Sequence, residues 1–275
     1  MELSIITINL NNRDGLSRTM DSVRAQTWKG FEWILIDGGS TDGSRELIQE
    51  NPDGIAFWCS EPDEGIYAAM NKGRARATGE HVLFLNSGDS LYDPTVLEHV
   101  HAAGLQDDIV AGQMVRLDNG LLFRHYDPDI LVQLYTDTIG HQATFIRRNL
   151  LEKFPYDERL RIVSDWKFWL EAIVLGQCSF TYLDIIVSKQ DMTGISLAAA
   201  NAPLLRAERK QVLQELLPQP VLNTLGRYVS YRNQPVNRNM SYLEESHPFL
   251  YKLLKKTISL VTRICRAGDG KNVRP

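Results

Sequence analysis

Within its first ninety residues the chain carries four short β-branched or aromatic runs separated by three segments of helical spacing. The apolar runs are "LSIITI" (3–8), "FEWILID" (31–37), "IAFWC" (55–59) and "HVLFL" (81–85). Between them lie 15–26, where Leu16, Met20 and Val23 share one face, 40–50, with Ser40 or Asp42 as N-cap, and 66–77. Such alternation predicts a parallel sheet covered by helices on both faces, because each parallel crossover needs a long connection that a helix supplies. Ligands of these sheets sit beyond the carboxyl ends of the strands.

Past residue 105 the pattern changes. "DIVAGQMVRL" and "GLLFRHY" predict a hairpin around Asp118-Asn119-Gly120, and "HQATFIRR" (141–148) predicts a further strand. "SDWKFWLEAIVLG" (164–176) predicts a helix capped by Ser164 and ended by Gly176, "FTYLDIIVSKQ" an extended segment, and 203–266 mostly helix. The expected division is a domain at 1–200 and a helical C-terminal extension at 201–275.

At 275 residues and 43% hydrophobic content the chain can bury the core of one large α/β domain with an appendage. A formal charge of −4 gives no reason to expect nucleic acid as partner. Cys59, Cys178 and Cys265 are odd in number, far apart and without metal-ligand spacing, so a reducing compartment is the simpler expectation. The N-terminus has no basic lead or small-residue cleavage site, and no apolar run approaches a membrane span of about 20 residues. A cytoplasmic setting, with the cytoplasmic face of the inner membrane as the alternative, is the expected localisation.

The strand ends are polar. The first carries Thr7 and Asn9, the second Asp37 in "LIDGGSTDGS", and the fourth Asn86 and Asp89 in "HVLFLNSGDS". In a parallel sheet these converge on one crevice. "DGGSTDG" is not G-x-G-x-x-G, and no Walker A sequence occurs, so the site offers carboxylates rather than a glycine cradle. Carboxylates hold phosphate through a hard cation such as Mg²⁺ or Mn²⁺. Asp37 is read as a ligand-binding residue and Asp42 as a helix cap.

"LSIITINLNN", "FEWILIDGGSTDGS", "EPDEGIYAAMNKGRARATGEHVLFLNSGD" and "SDWKFWLEA", in this order, resemble the successive motifs of family-2 glycosyltransferases of the GT-A fold, over roughly residues 1–190. The variant is most similar to bacterial enzymes of exopolysaccharide and colanic-acid assembly. The resemblance implies a Rossmann-like, mostly parallel sheet flanked by helices and a nucleotide-diphospho-sugar donor. Base and ribose would lie near Thr7, Asn9 and Asp37, and the diphosphate would be bridged by Mn²⁺ or Mg²⁺ at the family's D-x-D turn. Here that turn reads Asn86-Ser87-Gly88-Asp89, so Asp89 stands at the last carboxylate, Asn86 replaces the first and Gly88 the middle one. Asp63 and Lys72, in "EPDEGIYAAMNKG", lie beside the donor in the family. Lys72 either neutralises diphosphate charge or stands as a solvated helix lysine.

Inverting transfer needs a base for the acceptor hydroxyl. The resemblance places Asp165 in that role, at the family's "ED" motif with Ser164 in place of the Glu. Trp166 beside it is the expected acceptor platform, Trp169 a core residue, and His141 either an acceptor contact or a structural hydrogen-bonding histidine. The absence of Q-x-x-R-W points to one sugar per encounter, with a glycan or lipid-linked acceptor. In the tail, 246–268 holds no acidic residue, and its basic amphipathic pattern suits either an anionic membrane surface or docking on its own domain. Two other readings are a nucleotide-sugar-binding protein without transferase activity, motivated by the thinned D-x-D turn, and a sugar-phosphate nucleotidyltransferase, for which "NLNNRDG" is a poor phosphate loop.

Overall fold

The computed structural model describes residues 2–123, 129–194 and 197–268, and the part up to Leu216 folds around one mixed sheet. Its parallel half contains β1 (Leu3–Asn9), β2 (Phe31–Asp37), β3 (Phe57–Ser60) and β4 (His81–Phe84), in the order β3-β2-β1-β4. The crossovers are α1 (Arg13–Arg24), α2 (Ser44–Glu50) and α3 (Ile66–Arg76). All seven residues of β1 are buried, as expected for a strand covered on both faces. One face packs Ile5, Trp33 and Leu35 against Leu16, Met20 and Val23 of α1. The other packs Ile6, Ile34 and Phe84 against Tyr67 and Met70 of α3. Gly73 lets α3 approach closely, since a Cβ there would stand 2.4 Å from Ile6 Cγ2.

The remaining elements are β5 (Ser90–Leu91), α4 (Val96–Ala103), β6 (Ile109–Arg116), β7 (Leu122–Phe123), α5 (Ile130–Thr136), β8 (Thr144–Arg147), α6 (Arg148–Lys153), α7 (Ser164–Trp169), β9 (Phe180–Gln190) and α8 (Ala202–Leu216). β8 pairs antiparallel with both β4 and β6, β6 runs parallel to β9, and β5 closes antiparallel on β9. The expected hairpin forms between β6 and β7, and its continuation at 124–126 lies outside the described residues. Strand order reverses between β1 and β4, which is where an open α/β sheet forms its ligand crevice.

Two local expectations are corrected. Ser164 is the first residue of α7 rather than its cap, and its hydroxyl instead accepts from the Asp157 backbone N–H at 2.5 Å. The helix continues beyond Trp169 as a π-helical stretch, Leu170–Leu175, before Gly176. Asp42 lies just outside α2, whose cap position is Gly43, and its Oδ1 accepts from the Ser44 N–H at 3.1 Å.

The chain divides into two compact units, Met1–Leu216 and Leu217–Pro275. α8 therefore belongs to the first unit, 16 residues past the expected boundary at 200. The Glu208 carboxylate accepts from the backbone N–H groups of Arg161 (2.8 Å) and Ile162 (2.9 Å), ahead of α7. The second unit contains α9 (Gln219–Arg232), α10 (Pro235–Ser246) and α11 (Pro248–Gly268).

Candidate active site

β1 and β2 run in register, so their last residues, Asn9 and Asp37, stand side by side. Asp37 is fully buried and accepts four hydrogen bonds. Asn9 Nδ2 (2.7 Å) and Ser40 Oγ (2.5 Å) donate to Oδ1, and Ser40 N (3.0 Å) and Ser60 Oγ (2.6 Å) donate to Oδ2. Burial alone would raise its pKa, but the donors from Ser40, Ser60 and Asn9 outweigh it and hold the carboxyl below its ordinary value. Asp37 thus organises the loop after β2. Replacing it by Ala would leave buried donors unpaired and should destabilise the fold by about 3 kcal/mol, measured by urea unfolding. An unchanged unfolding midpoint would show that this network carries no stability.

Thr7 is drawn inward. It is fully buried and its hydroxyl accepts from Trp33 Nε1 at 3.0 Å, so it serves as a strut between strands rather than as a donor contact. Lys72 pairs with Glu61 at 2.8 Å and with Asp63. Although partial burial opposes the charged form, the two carboxylates keep its ammonium charged to well above the usual range. Its charge is committed to the loop carrying Asp63, not displayed as that of a solvated helix lysine.

Among the buried side-chain atoms of the described residues that lack a hydrogen-bond partner, three are carbonyl or carboxylate oxygens: Asn9 Oδ1, Asp63 Oδ2 and Asn86 Oδ1. Gly38 links the first two, because its N–H donates to Asn9 O at 2.8 Å and a Cβ on it would lie 3.5 Å from Asp63 Oδ2. An unpaired buried acceptor costs about 1–3 kcal/mol, so such atoms mark places where a ligand's N–H or O–H groups can bind.

The turn after β4 is held by Thr19, whose hydroxyl donates to Asp89 O (2.6 Å) and accepts from Gly88 N (3.1 Å). Gly88 sits at φ +105°, and a Cβ there would meet Asp191 Oδ2 at 2.7 Å. A carboxylate at this middle position of the turn would therefore be strained and crowded. Asp89 is buried, and its Oδ1 accepts from the Asp191 backbone N–H at 2.8 Å. Burial pushes its carboxyl up to about 7, against that hydrogen bond and the attraction of His141. The Asp191 carboxylate itself pairs with Arg18 at 2.9 Å. A buried carboxylate short of a cationic partner fits a hard divalent ion. Among the described residues no cluster of three or more His, Cys, Asp or Glu could hold such an ion.

Asp165, in the first turn of α7, meets this turn through His141. Asp165 Oδ2 lies 3.1 Å from His141 Nδ1, and His141 Nε2 lies 3.2 Å from Asn86 Nδ2. The neutral tautomer that satisfies both contacts donates Nδ1–H to Asp165 and accepts the Asn86 amide at Nε2. Tyr67 O–H is within reach of both Asp165 Oδ1 (2.9 Å) and Ile162 O (2.6 Å). Burial opposes ionisation of both members of the pair. Their mutual attraction prevails, holding Asp165 below and His141 above their ordinary values.

The expected aromatic platform is corrected. Trp166 is only 2% exposed, its indole N–H donates to Leu134 O at 2.7 Å, and the Arg209 guanidinium covers its ring at 4.4 Å. Trp169 is likewise core, donating to Ile139 O at 3.0 Å. Sequence reasoning does not single out Tyr67, Ser60 or Asp191, and finds Ser40 only as a helix cap. Tyr67 lies inside the "EPDEGIYAAMNKG" motif, whereas Asp191 carries no local signal.

The profile of "Glycosyl transferase family 2" matches residues 4–159. An uncharacterized glycosyltransferase of Mycobacterium tuberculosis is 35% identical over 201 residues, covering 70% of this chain and 76% of the relative. A Nostoc uncharacterized glycosyltransferase is 38% identical over 269 residues, covering 88% of this chain and 81% of the relative. Among solved structures, Staphylococcus aureus TarS 1–349 in complex with UDP-GlcNAc aligns with a TM-score of 0.64 at 18% identity, over 82% of this chain and 70% of that one. Its complex with UDP aligns over only 60% of that chain. The mannosyltransferase PcManGT of Pyrobaculum calidifontis, in complex with GDP-Man and Mn²⁺, aligns with a TM-score of 0.57 at 16% identity, over 94% of this chain and 80% of that one. The fold is of the GT-A type, and the chain belongs to glycosyl transferase family 2 and is a glycosyltransferase.

Proposed function

We propose that the protein moves one sugar from a nucleotide-diphospho-sugar to a glycan or lipid-linked acceptor with inversion at the anomeric carbon. The observation that carries this reading is the presence, at and beyond the strand ends, of the buried, unpaired acceptors Asn9 Oδ1, Asp63 Oδ2 and Asn86 Oδ1, with Asn86 also meeting the His141–Asp165 pair. The acceptors match the N–H and O–H groups of a nucleoside and its sugar. Asp89 would hold Mn²⁺ or Mg²⁺, which when bound neutralises the diphosphate leaving group. The carboxylate–imidazole pair takes the proton of the acceptor hydroxyl as that oxygen bonds to the anomeric carbon from the face opposite the leaving diphosphate. As coupled groups, Asp165 and His141 titrate together, so the gained proton is shared by the pair.

The order of the motifs supports a place in surface-polysaccharide assembly. A Mycobacterium bovis relative named "PGL/p-HBAD biosynthesis glycosyltransferase" is 34% identical over 199 residues, covering 70% of this chain and 77% of the relative. Calorimetry with UDP and GDP, with and without Mn²⁺, tests the donor site. Binding of one nucleotide that tightens at least about tenfold with Mn²⁺ is expected. No binding of either nucleotide would overturn the assignment.

A further inference from the structure

The C-terminal unit differs from the rest of the chain in charge. Leu217–Pro275 holds ten Lys and Arg against three Asp and Glu, whereas the preceding 216 residues hold twenty against thirty-one. An acidic first unit is thus followed by a strongly basic second one.

α11 sorts this charge by face. At about 100° per residue, Phe249, Leu250, Leu253, Leu260, Val261 and Ile264 fall on one half of its circumference, and Lys252, Lys255, Lys256 and Arg263 cluster on the other. The apolar half is not packed away: Phe249 is 78% and Ile264 63% exposed. Leaving such side chains in water forgoes about 25 cal/mol for each Å² that could be buried. An unpartnered apolar face of this size marks an interaction surface.

The two faces together select the partner. A polyanion would match the lysines but not the leucines. An apolar protein groove would match the leucines and leave the basic face without purpose. A bilayer with anionic headgroups offers acyl chains and negative charge at one boundary. The exposed rings of Tyr228 and Tyr231 on α9 and Tyr242 on α10 are of the type enriched at headgroup level. Among the described residues no helix is long and apolar enough to cross a membrane.

We propose that α11 lies in the plane of an anionic lipid surface, its apolar face among the acyl chains and its basic face at the headgroups. This holds independently of the donor and acceptor assigned above.

The test is sedimentation of the 275-residue chain with phosphatidylcholine vesicles, with and without phosphatidylglycerol. Binding should require the anionic lipid and weaken as salt rises. Lys252→Ser/Lys255→Ser/Lys256→Ser should weaken it roughly 10²-fold, as expected for three basic contacts at an anionic surface. Leu253→Glu/Leu260→Glu should weaken it at least about 10-fold through lost apolar burial. Because all five side chains are exposed, melting temperatures should stay close to that of the unaltered protein. If the apolar variant proves less stable, the charge variant still decides. Equal binding to neutral vesicles, or binding to neither, would overturn the proposal. So would full binding by the apolar variant, which would mark a simple polyanion site, or a dimer dispersed by that variant without vesicle binding, which would mark a second copy as the partner.

Discussion

Asp165→Asn should slow sugar transfer by at least ~10²-fold while leaving nucleotide affinity within about twofold. That loss corresponds to about 2.7 kcal/mol of barrier. The separation follows from placement: Asp165 stands on α7, whereas Asn9, Asp63 and Asn86 stand at and beyond the strand ends. The amide has one acceptor oxygen and can keep the hydrogen bond from Tyr67 or from His141 but not both, so the fold should lose about 1–3 kcal/mol. A second readout is the imidazole of His141. Its pKa is held above the ordinary value by the Asp165 carboxylate, so removing that charge should move its titration to lower pH, as followed by NMR. Near-normal transfer would remove the pair from the chemistry. Lost nucleotide affinity with intact transfer would reassign Asp165 to donor binding.

Asp89→Asn should abolish cation-dependent turnover and yet stabilise the free protein at pH 8. The sign follows from burial. The folded-state carboxyl protonates near 7 instead of 3.8, so above pH 7 the fold carries a charge that its surroundings disfavour. That destabilisation is full above about pH 7 and fades as pH falls toward 4. Removing the charge should therefore gain on the order of 2–4 kcal/mol at pH 8, a melting increase of several degrees, and nothing near pH 4. The Asn carbonyl can still accept from the Asp191 N–H. With saturating Mn²⁺ and nucleoside diphosphate the order should reverse, because only the unaltered protein gains binding free energy from the ion. A variant less stable than the parent at pH 8 would contradict the burial account, and unchanged cation dependence would take the metal away from Asp89.

The parallel half of the sheet is legible in the sequence because its signal is local. The strand-like runs alternate with helical spacing, and parallel pairing in register then brings Asn9, Asp37 and Asn86 to one end without further information. Trp166 is misread because sequence shows a residue's neighbours along the helix but not what covers them. Trp169 repeats at helical spacing with Ile173 and so points to core. Trp166 is buried by Leu134, 32 positions away, and by Arg209 of α8. The same limit hides Tyr67, which reaches Asp165 across 98 positions, and Asp191, whose N–H reaches Asp89 across 102. Thr7 is polar near a strand end and so reads as a ligand residue, yet its hydroxyl is committed to a tryptophan on the neighbouring strand.

The most direct test of the central claim is turnover itself: release of nucleoside diphosphate from a panel of UDP-, GDP- and dTDP-sugars, with Mn²⁺ or Mg²⁺ and then with chelator. The account predicts cation-dependent release from one nucleotide class, lost in Asp89→Asn, with the sugar recovered on an added acceptor in inverted configuration. Nucleotide binding without release from any donor, or equal release in chelator and in Asp89→Asn, would contradict it.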